Sequence, residues 1–352
     1  GETEGGPRES SAAADTGADK KEAAPLKTWV ATRAVPAPKP GRLLEQPKSE
    51  APPRNIVLII GDGMGQGAYD LASLHAHGAT GRLFMQQLPV AGLCETRSQN
   101  SAVTDSAAAG TAIACGKKTN NGVVGMTADG QKLKSIAYAA RDLGKAVGVI
   151  TSDALSGATP AAFFAMQPAR GMAPEIVADA SRCRFDILIG NAVTRGLFKQ
   201  NGKEPDQRDL QAGMEAGGYR FIDSPAAFAA VPEGVKVVGQ IENKILAGDD
   251  AVLAKLVETA VARLSRNADG FFLMVESTYP DIGGHGNDPD TSILGTIQAD
   301  WAARAAVTFA AARDDTLVLC TADHETGALC VVKGAAPDAR PVIVYGSTNH
   351  SG

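Results

Sequence analysis

Residue types that bind metal ions follow four short apolar runs of this 352-residue chain. These residues are Asp62 after Asn55–Ile60; Glu276, Asp281 and His285 after Phe271–Val275; Asp323 and His324 after Thr316–Cys320; and His350 after Val342–Tyr345. One Asp-Gly turn or one Asp-His pair is commonly a surface feature, but four coincident cases are harder to explain in that way. Carboxylates with imidazoles suit Zn²⁺, and carboxylates with a hydroxyl suit Mg²⁺. The pattern therefore predicts a metal centre.

A serine that could act as a nucleophile lies where a helix is predicted to begin. The segment Val103–Ser106 precedes the Ala-rich stretch Ala107–Ala114. Thr, Asp and Ser are all common N-cap residues, so a simple capped helix is one interpretation. A serine at a helix N-terminus also lies in a positive field that favours a bound phosphate, and a nearby metal ion would activate its hydroxyl. Ser106 fits both interpretations equally well.

A threonine and an arginine further along the chain are weaker candidates. Thr159 precedes Pro160 in a pattern common at helix starts, and Arg170 follows about three turns later. An arginine at that distance would suit a bidentate phosphate clamp, although a surface arginine is the simpler interpretation from these residues alone.

Alternating apolar and helical segments indicate how these residues are brought together. The four apolar runs and a fifth, Ala146–Ile150, have the length of buried strands. The predicted helices cover Ala107–Ala114, Leu133–Leu143, Asp249–Arg266 and about residues 291–312. This alternation predicts an α/β fold with a mostly parallel central sheet and helices on both faces. Ligands of such sheets bind at the carboxyl ends of the strands, where the metal-binding residue types lie.

Composition and charge exclude several classes of protein. Hydrophobic residues make up 44% and charged residues 21%, as in an ordinary globular chain. A net charge of -5 argues against nucleic acid as the main partner, and no apolar run is long enough to span a membrane. Five cysteines without CxxC spacing leave at least one unpaired or joined to another chain.

The first 53 residues differ in composition from the remainder. They contain 8 of the 19 prolines, and their charges cancel. Such a segment cannot bury enough apolar surface to offset its conformational entropy. The sequence predicts a flexible tether over residues 1–53 and one catalytic domain over residues 54–352.

The motifs, taken together in chain order, resemble those of the alkaline phosphatases. They are GDGMG, VTDSAAAGTA, ATPAAFFA with a later arginine, VESTYPDIGGHGND, TADHETG and NHSG. The resemblance runs from residue 55 to the end of the sequence, although residues 172–269 contribute little to it. It implies the three-layer α/β sandwich of that family and the hydrolysis of phosphate monoesters.

The resemblance also implies two zinc ions, one magnesium ion and a role for each candidate residue. The implied ligands are Asp281, His285 and His350 for the first zinc; Asp62, Asp323 and His324 for the second; and Asp62, Thr159 and Glu276 for the magnesium. Ser106 would be the nucleophile that forms a phosphoserine, and Arg170 would be the phosphate clamp.

Two positions depart from the family's usual pattern. Gly157 stands where the family commonly has Asp or His near the magnesium, and Ile282 stands where Lys, His or Trp is usual near the phosphate. Neither side chain can form a hydrogen bond. We therefore expect phosphate to bind less tightly than in relatives that have polar groups at these positions.

Two other functions were weighed against a phosphomonoesterase. A phosphodiesterase or phosphonate hydrolase of the same superfamily usually has a threonine nucleophile and lacks the TDSA sequence. A non-catalytic metal- or phosphate-binding protein would be expected to have lost Ser106 or a ligand, and none is lost. The physiological substrate stays open, and a homodimer is expected by analogy with the family alone.

Family analogy and the N-terminal composition favour a periplasmic or cell-surface location, with a lipid anchor as one variant.

The sequence stops two residues after His350, whereas family members normally continue for tens of residues. We expect an incomplete segment, with exposed apolar surface near residues 342–350 and a frayed end that would misplace His350.

Overall fold

Seven strands form a central sheet in which every neighbouring pair is parallel. The computed structural model describes residues 51–78, 81–199, 209–333 and 341–351, so the predicted tether lies outside the described residues except for residues 51–53. The strands are β1 (Asn55–Gly61), β2 (Ala146–Ala154), β3 (Ile187–Asn191), β4 (Tyr219–Ile222), β5 (Lys236–Ile241), β6 (Phe271–Ser277) and β7 (Thr316–Ala322). They lie in the order β4-β5-β3-β2-β6-β1-β7.

The apolar runs explain why this sheet is covered on both sides. In β1, Val57 and Ile59 pack into one core, whereas Leu58 and Ile60 pack into the other. Successive side chains of a strand point to opposite faces, so a run that is apolar at every position must be buried on both. The strand pattern therefore requires two helical layers.

Helices supply that cover. They are α1 (Gln66–His77), α2 (Ser106–Cys115), α3 (Ile136–Asp142), α4 (Ala158–Ala161), α5 (Ala173–Arg182), α6 (Arg195–Phe198), α7 (Leu210–Ala216), α8 (Pro225–Ala229), α9 (Asn243–Leu246), α10 (Val252–Leu264), α11 (Tyr279–Gly286) and α12 (Pro289–Ala310). Helices α1, α8, α10 and α12 pack on one face of the sheet, and α2 to α5 pack on the other. The predicted three-layer α/β sandwich is confirmed. None of the helices in the described ranges has the length and apolar character needed to cross a bilayer.

The strand predicted at Val342–Tyr345 is present, but it does not belong to the main sheet. It is β10, which pairs antiparallel with β9 (Leu329–Lys333). A second small sheet pairs β8 (Glu325–Thr326) antiparallel with β11 (His350–Ser351). His350 therefore reaches the site by pairing with the segment after β7. The prediction that Val342–Tyr345 is a strand of the main sheet, with His350 after its end, was wrong.

Apolar side chains are exposed on β10 and on the edge strand of the main sheet. Val342 and Val344 of β10 are about half exposed, and so are Leu317 and Leu319 of the edge strand β7. The exposed surface expected near residues 342–350 is thus present. The expected displacement of His350 is not, because its ring lies against Asp281 and Thr104.

Candidate metal centre and nucleophile

Adjacent strands explain how distant parts of the chain meet at one point. β1 lies between β6 and β7, and Gly61 is in register with Ser277 on one side and Ala322 on the other. The next residues, Asp62 and Asp323, consequently emerge side by side at the carboxyl edge of the sheet. The Gly63 backbone N–H donates to Asp323 Oδ1 at 3.0 Å and fixes the two loops together.

The first cluster consists of Asp62, Asp323 and His324, all of them buried. His324 Nε2 lies 3.4 Å from Asp62 Oδ1 and 3.3 Å from Asp323 Oδ2. Those two oxygens accept no hydrogen bond from any described residue. Burial raises the pKa of Asp62 well above its ordinary value, and the charge of Asp323 raises it further. Buried carboxylates without donors fit a bound cation, which would replace the missing partners.

The second cluster is built around Asp281 on helix α11. One helical turn brings His285 Nε2 to 3.5 Å from Asp281 Oδ1, and His350 Nε2 lies 3.5 Å from the same oxygen. Backbone carbonyls of Thr348 and Thr104 accept from the Nδ1 atoms of these two histidines, at 2.7 and 3.0 Å. Because a carbonyl can only accept, Nδ1 carries a proton in each ring, and Nε2 is the ring atom that lies near Asp281 and could bind a metal ion.

Burial lowers the pKa of His350, and the neighbouring His324 lowers it further. The two rings are stacked, with centroids 3.9 Å apart. This stacking places the two clusters side by side. Both contain imidazoles and carboxylates, which is the ligand chemistry that zinc prefers.

A third group contains oxygen atoms alone. Thr159 Oγ1 donates to Asp62 Oδ2 at 3.4 Å, and Thr151 Oγ1 donates to Glu276 Oε2. Glu276 is completely buried, and its Oε1 has no hydrogen-bond partner among the described residues. Burial, followed by the nearby charge of Asp153, raises the pKa of Glu276 to about 8. Carboxylate and hydroxyl oxygens fit Mg²⁺ better than they fit zinc.

Ser106 is the first residue of helix α2, and its side chain is buried beside the first cluster. Ser106 Oγ lies 3.2 Å from His324 Nε2. The N-cap of the helix is Asp105, whose Oδ1 accepts from the Ala108 backbone N–H at 2.9 Å. The capping role left open for the segment thus belongs to Asp105, and the hydroxyl of Ser106 is available for chemistry.

Arg170 lies beside the same helix terminus. Its guanidinium donates to Asp105 Oδ2 at 3.2 Å, and its side chain is 44% exposed. Helix α4 ends at Ala161, so Arg170 lies in the following loop and not on that helix. An exposed guanidinium next to Ser106 and the positive end of α2 could bind a phosphate that enters from solvent.

Two residues of this site were missed by sequence reasoning. Thr151 and Asp153 belong to the last part of β2, which extends to Ala154 and not merely to the end of its apolar run at Ile150. The signal that could have identified them is their position after an apolar strand, the same signal that identified Asp62.

The main sheet is parallel, residue types that bind metal ions cluster at its carboxyl edge, and a serine lies at a helix N-terminus beside them. This combination is typical of metal-dependent hydrolases. A sequence model described as "Alkaline phosphatase" matches residues 53–349. The chain belongs to the alkaline phosphatase family, as its motifs indicated.

Individual relatives agree with this assignment. The chain is 31% identical to alkaline phosphatase 4 of Bacillus subtilis, over 82% of this chain and 64% of the relative. It is 28% identical to the alkaline phosphatase of Escherichia coli, over 83% of this chain and 73% of the relative. The chain therefore spans less than two thirds of the length of the Bacillus subtilis protein.

Solved structures give the same result. The alkaline phosphatase of the Antarctic bacterium TAB5 has a TM-score of 0.74 and 27% identity, with 85% of this chain and 88% of that chain covered. A variant of that enzyme in which a histidine is replaced by aspartate has Mg bound in the M3 site, with a TM-score of 0.73 and 27% identity over the same shares of both chains.

Proposed function

We propose that this protein hydrolyses phosphate monoesters by way of a phosphoserine at Ser106. The observation that carries the proposal is the position of Ser106 Oγ, 3.2 Å from His324 Nε2 and at the first turn of α2. A phosphate bound there would face the backbone N–H groups of the helix terminus and the guanidinium of Arg170. The names of the relatives support the same activity.

The three groups of ligands fit the metal ions expected of such an enzyme. We propose that Asp281, His285 and His350 bind one zinc, that Asp62, Asp323 and His324 bind a second, and that Asp62, Thr159 and Glu276 bind a magnesium. The orphaned oxygens of Asp62, Asp323 and Glu276 support these sites, and so does the Mg reported in the TAB5 variant. When bound, these cations neutralise charge on the entering and leaving oxygens of the phosphate.

The residues of the chain then perform a two-step transfer. The Ser106 hydroxyl gives up its proton as Oγ forms a bond to phosphorus, the bond from phosphorus to the alcohol oxygen breaks, and that oxygen takes up a proton and leaves as the alcohol. Water next attacks the phosphoserine, which releases inorganic phosphate and restores the hydroxyl. Arg170 and the N-terminus of α2 hold the non-bridging oxygens through both steps and bind more strongly as charge accumulates on them.

The relatives include bacterial enzymes, and we propose a periplasmic or cell-surface location by analogy with them. Recovery of the natural full-length protein in the cytosol with its N-terminus unprocessed would contradict this.

The deciding experiment compares p-nitrophenyl phosphate with bis-p-nitrophenyl phosphate, before and after chelation and after zinc and magnesium are restored. We expect hydrolysis of the monoester, its loss on chelation and its recovery with the metal ions. A preference for the diester, or full activity of a metal-free preparation, would refute the proposal.

A further inference from the structure

The carboxyl group of Asp153 lies in the space that a side chain at position 157 would occupy. A Cβ atom built on Gly157 would be 2.0 Å from Asp153 Oδ2 and 2.8 Å from its Cγ. Contacts this short do not occur, so any other residue at 157 would displace the carboxylate. Gly157 therefore leaves room for an acid that comes from four residues earlier in the chain.

The backbone around Asp153 holds this carboxylate in one orientation. Its Oδ1 accepts from the Ala154 N–H at 2.7 Å, and its own N–H donates to Thr151 Oγ1 at 2.8 Å. The Thr151 hydroxyl in turn donates to Glu276 Oε2. One threonine thus links the Asp153 backbone to the buried Glu276 and leaves Asp153 Oδ2 on the side of Gly157.

Asp153 lies among other carboxylates, and Arg170 is the cation whose charge acts on it. Its charge acts on Glu276 and Asp62, both of which are buried and each of which has one oxygen without a hydrogen-bond partner in the described residues. Burial raises the pKa of Asp153 itself, the Ala154 N–H and the charge of Arg170 oppose that rise, and the charge of Asp281 adds to it. Several buried carboxylates stay together at neutral pH only when they are protonated or bind a cation.

The two close groups of metal-binding atoms in the described residues are Asp62 with Asp323 and His324, and Asp281 with His324 and His350. Neither Asp153 nor Glu276 belongs to these groups, so both lie apart from the two histidine-containing clusters. A magnesium ion gives up its water reluctantly and usually keeps several water molecules, which carboxylates bind as hydrogen-bond acceptors. A carboxylate next to the ligands of such an ion is therefore well suited to bind this hydration shell.

We propose that Asp153 is a positioning residue of the magnesium site, where its carboxylate binds the water shell of an ion held by Glu276, Thr159 and Asp62. Gly157 is required because it leaves space for this carboxylate. On this proposal, Asp153 supplies the polar group that position 157 itself lacks. This inference rests on the proposed function, since it assumes that the third group of oxygens binds magnesium.

The test measures magnesium binding separately from catalysis. Zinc-loaded protein is titrated with Mg²⁺ by calorimetry, zinc content is determined by mass spectrometry, and hydrolysis of p-nitrophenyl phosphate is assayed in parallel. Asp153→Asn should weaken magnesium binding at least about tenfold, equivalent to about 1.4 kcal/mol, and leave the zinc content unchanged, because a neutral amide binds the water shell of a cation less strongly than a carboxylate does. The control Asp129→Asn removes an acid from an exposed turn and should change neither quantity.

Substitutions at position 157 separate a metal effect from a folding effect. Gly157→Ala should weaken magnesium binding and lower the melting temperature of the metal-free protein. Adding Asp153→Ala should restore the melting temperature but not the magnesium affinity. Asp153→Ala combined with Gly157→Asp should recover most of that affinity, because the carboxylate then begins at the vacated position.

Unchanged magnesium affinity in Asp153→Asn, or no magnesium binding by the parent protein, would overturn this inference. Failure of the parent to hydrolyse phosphate monoesters while its magnesium affinity still depends on Asp153 would instead refute the proposed function and leave the inference standing.

Discussion

Replacing Ser106 with alanine should abolish phosphoryl transfer and leave the fold almost unchanged. The side chain of Ser106 makes one hydrogen bond in the described structure, to His324 Nε2 at 3.2 Å. Helix α2 is capped by Asp105, so the substitution does not remove a cap. The expected loss in the free energy of unfolding is therefore at most about 1 kcal/mol.

The expected effect on the rate is much larger. Loss of a catalytic nucleophile typically lowers turnover by at least about 1,000-fold, equivalent to roughly 4 kcal/mol in the activation free energy. Turnover is measured with p-nitrophenyl phosphate, and the phosphoserine is trapped by acid quenching with labelled substrate. Stability is measured by urea unfolding of the metal-free protein.

A matched variant separates catalysis from helix capping. Asp105→Ala removes the cap and the partner of Arg170, so it should destabilise the protein by about 0.5–2 kcal/mol. Ser106→Ala should show the opposite combination of a stable fold and no trapped phosphoprotein. Turnover of Ser106→Ala within tenfold of the parent, or a labelled intermediate that persists in it, would refute the assignment of the nucleophile.

Three further substitutions test other parts of the site and the core. Arg170→Ala should weaken inhibition by inorganic phosphate about tenfold, a modest figure because the side chain is 44% exposed; unchanged inhibition would contradict the clamp. Ile282→Lys should strengthen phosphate inhibition, because this half-exposed residue directly follows Asp281; equal inhibition constants would show that position 282 does not face the phosphate. Asp300 is buried and accepts from the Met85 N–H, and burial raises its pKa from 3.8 to about 6. Its folded form thus binds the proton more tightly than the unfolded form, so the stability of the parent relative to Asp300→Asn should fall by about 2–3 kcal/mol as the pH rises from 4 to 7. Urea unfolding of both proteins at the two pH values in EDTA measures this difference. A stability difference between parent and variant that does not change with pH would contradict the prediction.

Much of the sheet was predictable because its strands are short, fully apolar runs. The runs ending at Ile60 and Val275 became the adjacent strands β1 and β6, and the acids after them lie at the site. The strands β3, β4 and β5 were not predicted. β4 (Tyr219–Ile222) has an arginine among its four residues and two partly buried side chains, so its pattern resembles that of a loop.

The sequence by itself determined the fold class, the family and the residues whose chemistry suits the metals, because strand length, residue type and motif spacing are local properties. It did not determine that His350 reaches Asp281 through antiparallel pairing with Thr326, since pairing between distant segments depends on the whole chain. Nor could it assign the carboxylate beside Gly157 to Asp153. That assignment needs the path of the backbone after β2, because it depends on which side chain fills the space that a glycine leaves.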